Sequence, residues 1–154
     1  MNTVQLRECL KILNIKNCNV YALDQLPKFS NQIPEGGIVN SDVAAEPGSH
    51  WYAFYRDKVD SCEFFDSFGR APPPPILKNL CSSGITSYYV NPEVLQGEDS
   101  ITCGLHCLYY LHHRTHDGSL ISLLNQKYTS QPLLNDSIVL QWGIPLLSST
   151  QQRF

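Results

Sequence analysis

The chain has 154 residues, of which 42% are hydrophobic and 16% are charged. This composition fits one folded domain with a buried core and excludes a disordered protein. The formal net charge of -3 gives no electrostatic reason to expect nucleic acid as the main partner.

The N-terminal segment 1–17 reads as an amphipathic helix, with no apolar run long enough for a signal peptide or a membrane span. Five residues supply most of its apolar side: Val4, Leu6, Leu10, Ile12 and Leu13. The six cysteines of the chain are irregularly spaced, which favours reduced thiols over a disulfide framework. We therefore expect an intracellular protein, cytoplasmic or nuclear, that is not secreted and does not enter a membrane.

The next segments alternate between turns and short strands. Segment 19–29 mixes β-favouring and turn-forming residues, and we expect it to cross the surface as an irregular stretch. The run "IPEGGIVN" predicts a turn that leads to a strand at Ile38 and Val39, and "AEPGSH" predicts a second turn.

A hairpin follows, and its register brings two functional side chains together. Every residue in 51–55 is apolar or aromatic, which predicts a strand covered on both faces; "RDKVDS" then turns the chain and "CEFFDSF" returns it. With a three-residue loop at 57–59, paired positions sum to 116 and His50 lies opposite Asp66. Side chains opposite each other are about 4.5–5.5 Å apart at Cβ, so the carboxylate would orient and stabilise the imidazole. A one-residue slip would place the two on opposite faces.

The second half of the chain predicts helices around one more strand. Four consecutive prolines exclude regular structure, and the last of them begins a helix over 75–83. The pattern then predicts a strand at 87–90, a buried helix over 103–113 and another helix over 119–128, whereas the last residues are apolar without a clear element. The elements predict a single α+β domain, a central mixed or antiparallel sheet flanked by helices, spanning 1–154.

Cys103 stands where a polar loop meets an apolar helical run, in the first helical turn. There the helix dipole and a nearby imidazolium both favour the thiolate. Gly104 leaves room for a substrate backbone to come close. Gln96 lies seven residues before Cys103, and its amide NH2 and the Cys103 N–H are candidate donors to an oxyanion. In the order His50, Asp66, Gln96, Cys103, these side chains predict an acyl-transfer site.

Three motifs carry a resemblance to a known family. "HWYAF", "FFDSFG" and "Q-x6-CGLHC" resemble the adenain-like cysteine proteases of adenoviruses, Polinton-type transposons and related viruses, in the clan of the ubiquitin-like-protein proteases. The resemblance runs from about Leu6 to beyond the helix that begins at Cys103. It implies an adenain-like α+β fold in which a papain-like cysteine helix packs on the sheet.

The resemblance also implies a role for each residue of the site. His50 is the general base, Asp66 orients it, Gln96 donates to the oxyanion and Cys103 is the nucleophile. The implied activity is cleavage of peptide bonds in viral structural precursor proteins during maturation, at sites that contain Gly. The implied setting is a monomer acting on protein or peptide substrates, in the host nucleus or cytoplasm or packaged in the virion. We assign Trp51, together with Gly104, to the substrate-binding wall.

This sequence departs from the adenoviral pattern in two ways. Adenoviral enzymes usually carry Glu at the acidic position, where this chain has Asp66, as the ubiquitin-like-protein proteases do. They are also activated by DNA and by a peptide that is held through a disulfide. The position that matches their peptide-linked cysteine lies near Ile85 in this chain, and Cys81 is the nearest cysteine. We therefore expect no required cofactor, and neither a peptide nor a DNA activator is favoured.

Three alternatives stay open. The run "C-x2-HC-x4-HH-x2-H" places Cys103, His106 and Cys107 on one helix face, where a three-ligand zinc site is conceivable. We predict no metal, because structural zinc usually uses paired short knuckles from separate segments. The order of the four site residues also fits an isopeptidase that removes ubiquitin-like modifiers, and a catalytically silent binding module of the same fold is the non-enzymatic possibility.

Overall fold

A five-stranded mixed sheet organises the chain, which a computed structural model describes over residues 1–30, 32–45 and 49–151. The strands are β1 (Cys18–Tyr21), β2 (Glu35–Asn40), β3 (Trp51–Lys58), β4 (Ser61–Phe65) and β5 (Ser87–Val90). They lie side by side in chain order. The outer pairs β1–β2 and β4–β5 are parallel, whereas β3 is antiparallel to both of its neighbours.

Helices cover both faces of this sheet. They are α1 (Thr3–Ile12), α2 (Pro74–Ser82), α3 (Cys103–His116), α4 (Leu120–Gln126) and α5 (Pro132–Gln151), with a short 3-10 turn at Leu23–Gln25. One core cluster joins one face of the sheet to α1, α3, α4 and α5, and a second joins the other face to α2. The predicted α+β class is confirmed.

The central strand β3 is buried on both faces, as predicted. Its residues Trp51, Ala53 and Tyr55 belong to the larger core cluster, whereas Tyr52 and Phe54 belong to the smaller one. Successive side chains of a strand point to opposite faces, so an unbroken apolar run is what a strand between two helical layers requires.

The prediction of an irregular crossing over 19–29 is wrong in part, because residues 18–21 form β1. This strand pairs in parallel with β2, and of its side chains only Val20 is deeply buried. A four-residue strand with one buried side chain shows no alternation that a sequence pattern could reveal. The second predicted turn includes residues 46–48, which lie outside the described residues.

The predicted register of the β3–β4 hairpin is wrong by two residues. Ala53 pairs with Phe65, so paired positions sum to 118, and the turn consists of Val59 and Asp60 with an irregularity beside it. Because the side-chain period of a strand is two, a slip of two keeps every side chain on its face. The shift makes residues 50 and 66 diagonal neighbours, still within reach of long side chains.

Helix α1 is buried along most of the predicted apolar side, with one exception. Leu6, Cys9 and Leu10 are buried, whereas Val4 is 50% exposed and was wrongly placed on the apolar side. Ile12 and Leu13 are partly buried against the core. The helix therefore contributes one narrow stripe to the core rather than a broad face.

Two substitutions in α1 test this assignment. We expect Leu6→Ala to lower the free energy of unfolding by about 2–5 kcal/mol, because it leaves a cavity in a packed core. We expect Val4→Ala, in the same helix, to change it by no more than about 0.5 kcal/mol. Urea denaturation followed by circular dichroism measures both, and equal losses would contradict the assignment of the buried stripe.

Candidate active site

His50 and Asp66 meet at the end of the sheet. His50 directly precedes β3 and Asp66 directly follows β4. Their side chains are joined by a hydrogen bond of 2.7 Å between Nε2 of the ring and Oδ1 of the carboxylate. Phe68 stacks on the imidazole with ring centroids 5.0 Å apart, and Tyr52 meets it edge-on at 4.9 Å. The ring is therefore held by both a hydrogen bond and aromatic packing.

Asp66 is fully buried and held by a dense set of hydrogen bonds. Its carboxylate also accepts from the backbone N–H groups of Phe68 (3.0 Å) and Arg70 (3.2 Å) and from Nε of Arg70 (3.1 Å). Burial alone raises the pKa of Asp66, but the bonds from His50, Phe68 and Arg70 outweigh it and the pKa lies below its ordinary value. The carboxylate stays ionised behind the imidazole.

Cys103 is the first residue of α3, and its sulfur interacts with the ring of His50, which lowers the pKa of the thiol. Because Nε2 of that ring bonds Asp66, Nδ1 is the nitrogen left for the sulfur. The backbone N–H groups of Trp51 and Gly104 also lower the pKa of Cys103 and so favour its charged form. The structure thus brings the predicted nucleophile, base and carboxylate together.

Electrostatics favour a thiolate–imidazolium pair at this site. Burial alone raises the pKa of Cys103, yet the bond and charge of His50 and the backbone donors lower it below its ordinary value. Burial alone lowers the pKa of His50, but its bonds to Asp66 and Cys103 raise it to about 9. The two shifts have the same cause, because each charge stabilises the other.

Gln96 lies on the loop before α3 and is almost fully buried. Its Oε1 accepts a hydrogen bond of 2.6 Å from the Ser67 hydroxyl, and its Nε2 donates to the Ser100 carbonyl at 2.8 Å. These bonds fix which end of the amide is the donor. An amide nitrogen carries two hydrogens, so one bond to Ser100 leaves the other hydrogen for a bound group.

An open groove adjoins this amide. It has a volume of about 570 Å³, and Gln96 and Phe68 are among the residues that line it. Val94 and Pro132 supply apolar lining, and Arg70 and Glu98 supply charges of opposite sign. A polypeptide bound beside Gln96 on this side would meet both apolar and charged side chains.

The two residues assigned to the substrate wall are placed differently from what the sequence suggested. The Trp51 ring N–H donates to the Met1 carbonyl at 3.1 Å, and the ring borders a small pocket of about 210 Å³ beside α1. A Cβ added to Gly104 would lie 3.4 Å from the Cβ of Met1 and 3.5 Å from Leu6. The space beside Gly104 is therefore filled by the N-terminal segment rather than open to a substrate backbone, because α1 packs against the start of α3.

The three residues of the zinc alternative face different partners. Cys103 bonds His50, and the Cys107 thiol donates to the Trp51 carbonyl at 3.4 Å. Both ring nitrogens of His106 are hydrogen-bonded within the protein, at 2.8 and 3.0 Å. In the described part of the chain no group of three Cys, His, Asp or Glu side chains is placed to hold a metal ion.

Sequence reasoning missed two buried residues that hold the site. Asn91 accepts a bond from the Asp66 N–H at 2.9 Å and donates to the Asp66 carbonyl at 2.6 Å, which fixes the backbone behind the carboxylate. Ser67 orients Gln96 through its hydroxyl, and its carbonyl accepts from the Gln96 N–H at 3.0 Å. The position of Asn91 directly after β5 was the only signal, and such a residue is as common in an ordinary turn.

A thiolate at a helix N-terminus, an imidazole, a buried carboxylate and an oriented amide define the class of Cys–His–Asp thiol sites. The chain is similar to the cysteine protease S273R of African swine fever virus, with 26% identity over 107 residues that cover 62% of this chain and 39% of the relative. The protein of a second isolate, named SUMO-1 cysteine protease S273R, is 26% identical over 109 residues, which cover 64% of this chain and 40% of that relative. The chain thus spans about two fifths of the length of these relatives.

The fold comparison gives the same result. A crystal structure of the African swine fever virus pS273R protease matches 89% of this chain and 62% of its own chain, with a TM-score of 0.54 and 19% identity. No family model matches the sequence. The resemblance to cysteine proteases of the adenain-related kind is confirmed by the named relatives, and the expected fold by the solved structure. None of the described helices has the length and apolarity needed to cross a bilayer.

Proposed function

We propose that this chain is a cysteine endopeptidase. The observation that carries the proposal is the convergence of three side chains at the N-terminus of α3, where the His50 ring is hydrogen-bonded to Asp66 and interacts with the Cys103 sulfur. The similarity to relatives named cysteine proteases supports the same reaction class. Retention of all the elements of the site in one geometry argues against the silent binding module.

The proposed reaction follows the charges of the site. The Cys103 thiolate attacks the carbonyl carbon of the scissile peptide bond, and the carbonyl oxygen gains the negative charge. Gln96 Nε2 and the Cys103 N–H donate to that oxygen. The His50 imidazolium then gives its proton to the departing amine as the C–N bond breaks, which leaves a thioester on Cys103.

The second half of the reaction returns the enzyme to its starting state. Neutral His50 takes a proton from water, and the hydroxide equivalent attacks the thioester. Collapse of the second tetrahedral species releases the carboxylic acid and restores the thiolate–imidazolium pair. Throughout, Asp66 keeps the ring oriented with Nδ1 toward the sulfur, because three other donors to its carboxylate hold that carboxylate in place beside Nε2.

We further propose protein substrates with Gly-containing cleavage sites, as in maturation of viral or virus-like structural precursors. This part rests on the motif resemblance. We propose that the enzyme acts as a monomer. We also propose that it is intracellular, since the six free thiols suit a reducing compartment. A DNA activator is not favoured by a net charge of -3, and the exposed Cys81 is the cysteine nearest to the position that matches the peptide-linked cysteine of the adenoviral enzymes.

A second candidate is an isopeptidase or processing protease that acts on ubiquitin-like modifiers. One relative is named SUMO-1 cysteine protease, and this observation favours the candidate. The same four side chains would perform the same chemistry on a modifier's C-terminal glycine. The two candidates differ in what the surface recognises, a short peptide or a folded modifier.

A cleavage profile separates the candidates. The full chain is incubated in reducing buffer with a peptide library and, in parallel, with an electrophilic probe built on the C-terminus of a ubiquitin-like protein. Endopeptidase function predicts peptide products cut at Gly-containing sites, read by mass spectrometry, with weak labelling by the probe. Labelling of Cys103 by the modifier probe without peptide cleavage would favour the second candidate, and neither reaction would contradict both.

A further inference from the structure

Asp136, on α5, is a buried carboxylate that binds both ends of the loop between Gln96 and Cys103. Its Oδ2 accepts the backbone N–H of Gly97 at 2.9 Å, and its Oδ1 accepts the hydroxyl of Thr102 at 2.8 Å. Gly97 directly follows Gln96, and Thr102 directly precedes Cys103. One side chain from a distant helix therefore fixes the neighbours of both groups that would bind the oxyanion.

The fit at Gly97 shows how closely α5 approaches this loop. A Cβ added at Gly97 would lie 2.7 Å from Oδ2 of Asp136 and 2.8 Å from Cδ2 of Leu133. A side chain at residue 97 would force the Asp136 carboxylate and the exposed Leu133 side chain to shift, so the glycine leaves room for the carboxylate to reach the backbone N–H. The loop is held against α5 by direct contact rather than across water.

A second pair of side chains holds the carboxylate itself. His106 Nε2 lies 3.0 Å from Oδ1 of Asp136, and His106 Nδ1 lies 2.8 Å from the Tyr128 hydroxyl. Burial lowers the pKa of His106 despite the neighbouring carboxylate, so the ring is neutral, donating from Nε2 and accepting at Nδ1. Burial alone raises the pKa of Asp136, but the bonds from His106, Thr102 and Gly97 outweigh it and hold the carboxylate ionised.

Hydrogen bonds within the loop continue from Thr102 to the catalytic amide. The Ser100 and Thr102 hydroxyls are 2.7 Å apart, and because Thr102 gives its proton to Asp136, Ser100 is the donor of that pair. The Ser100 carbonyl in turn accepts from Gln96 Nε2 at 2.8 Å. The carboxylate is thus connected to the amide through Thr102 and Ser100 on one side and through Gly97 on the other.

We infer that Asp136 is a positioning residue that sets the distance and angle between the Gln96 amide and the Cys103 N–H. This inference rests on the proposed function, since the two donors matter only if an oxyanion forms between them. Asp136 does not touch the sulfur or the His50 ring in the hydrogen-bond set of the site. Its loss is expected to disturb the oxyanion donors while leaving the thiolate–imidazolium pair in place.

The test uses Asp136→Asn in the full chain, assayed on a peptide that the wild type cleaves. An amide of the same shape keeps one acceptor oxygen and replaces the other with a donor, so either Gly97 or the Thr102–His106 pair loses its acceptor. Misplacement of a catalytic group by about 1 Å costs on the order of 10²-fold. We expect kcat to fall by about that factor with KM little changed, and the alkylation rate of Cys103 by iodoacetamide to stay near that of wild type.

Two further variants separate positioning from general destabilisation. Asp117→Asn removes an exposed carboxylate that also faces a histidine of α3, and it should leave kcat unchanged. Thr102→Val keeps Asp136 but removes the hydroxyl that donates to Asp136 and accepts from Ser100, and it should also lower kcat if Asp136→Asn proves difficult to fold.

A double-mutant cycle with Gln96→Ala decides whether Asp136 acts through the amide. Gln96→Ala alone should lower kcat by about 10²–10³-fold, and adding Asp136→Asn should then cost much less than it does in wild type. Full additivity, an unchanged kcat in Asp136→Asn, or a parallel fall in alkylation would overturn the positioning role while peptide cleavage by the wild type stands. A wild type without peptide cleavage would overturn the proposed function and the positioning role with it.

Discussion

Replacing Cys103 with alanine is expected to abolish peptide cleavage and leave the fold intact. The sulfur is the only atom lost, and it lies at a helix terminus where it is partly exposed, so the substitution opens no large cavity. Without a nucleophile the acyl-enzyme cannot form, and loss of such a residue lowers kcat by on the order of 10⁶-fold. Product formation measured by chromatography, beside circular dichroism and a urea midpoint, tests both halves of the expectation.

A matched thiol controls this experiment. Cys81 is exposed on α2, which packs on the opposite face of the sheet from α3, so Cys81→Ser should cleave at the wild-type rate in reducing buffer. Activity in the Cys103→Ala protein comparable to wild type would refute the assignment of the nucleophile. Loss of activity together with loss of the urea transition would instead show that Cys103 supports the fold.

The sequence predicted the central part of the fold because local and global patterns agree there. The apolar run of β3 is what a strand between two helical layers requires, and the polar-to-apolar boundary at Cys103 coincides with the start of α3. The His50–Asp66 pair was predicted through a register that is wrong by two residues. The two side chains still meet, because a register error of two residues leaves every side chain on the same face of the sheet.

Helix α5 was not predicted because, where it begins, apolar side chains are exposed and polar side chains are buried. Leu133 and Leu134 are 75% and 46% exposed, whereas Asn135 and Asp136 are buried. A pattern that places apolar residues inside and polar residues outside therefore gives the wrong face. The burial of Asp136 has a specific cause, since it accepts from the loop and from α3, and those partners are known only once the three segments are packed.

The supporting hydrogen bonds of the site were unpredictable for the same reason. Asn91 contacts Asp66 across 25 positions and Ser67 contacts Gln96 across 29, and no local pattern distinguishes these side chains from ordinary turn residues. The four side chains that we propose to act in catalysis could be found from residue type and order. The residues that fix their geometry could be found only from the three-dimensional arrangement.

Replacing His50 with alanine is expected to remove both the proton donor and the charge that favours the thiolate. In the wild type His50 outweighs burial and lowers the pKa of Cys103 below its ordinary value. Without the ring, burial remains as the main influence, and it raises that pKa. Alkylation of Cys103 by iodoacetamide, followed from pH 5 to 10, should therefore be rapid at mildly acidic pH in the wild type and slow there in the variant.

The direction of this shift distinguishes a paired thiolate from an isolated thiol. The imidazolium persists up to a pKa of about 9, so between the lowered pKa of Cys103 and that value the wild type holds both charges. In His50→Ala, rapid alkylation of Cys103 should begin only at higher pH than in the wild type. Peptide cleavage should fall by on the order of 10⁶-fold, because the general acid and the general base are lost together. His116→Ala removes an exposed imidazole of α3 and should change neither measurement. An alkylation profile that is the same with and without His50 would mean that the ring does not stabilise the thiolate. That result would contradict the proposed mechanism, which requires the thiolate–imidazolium pair.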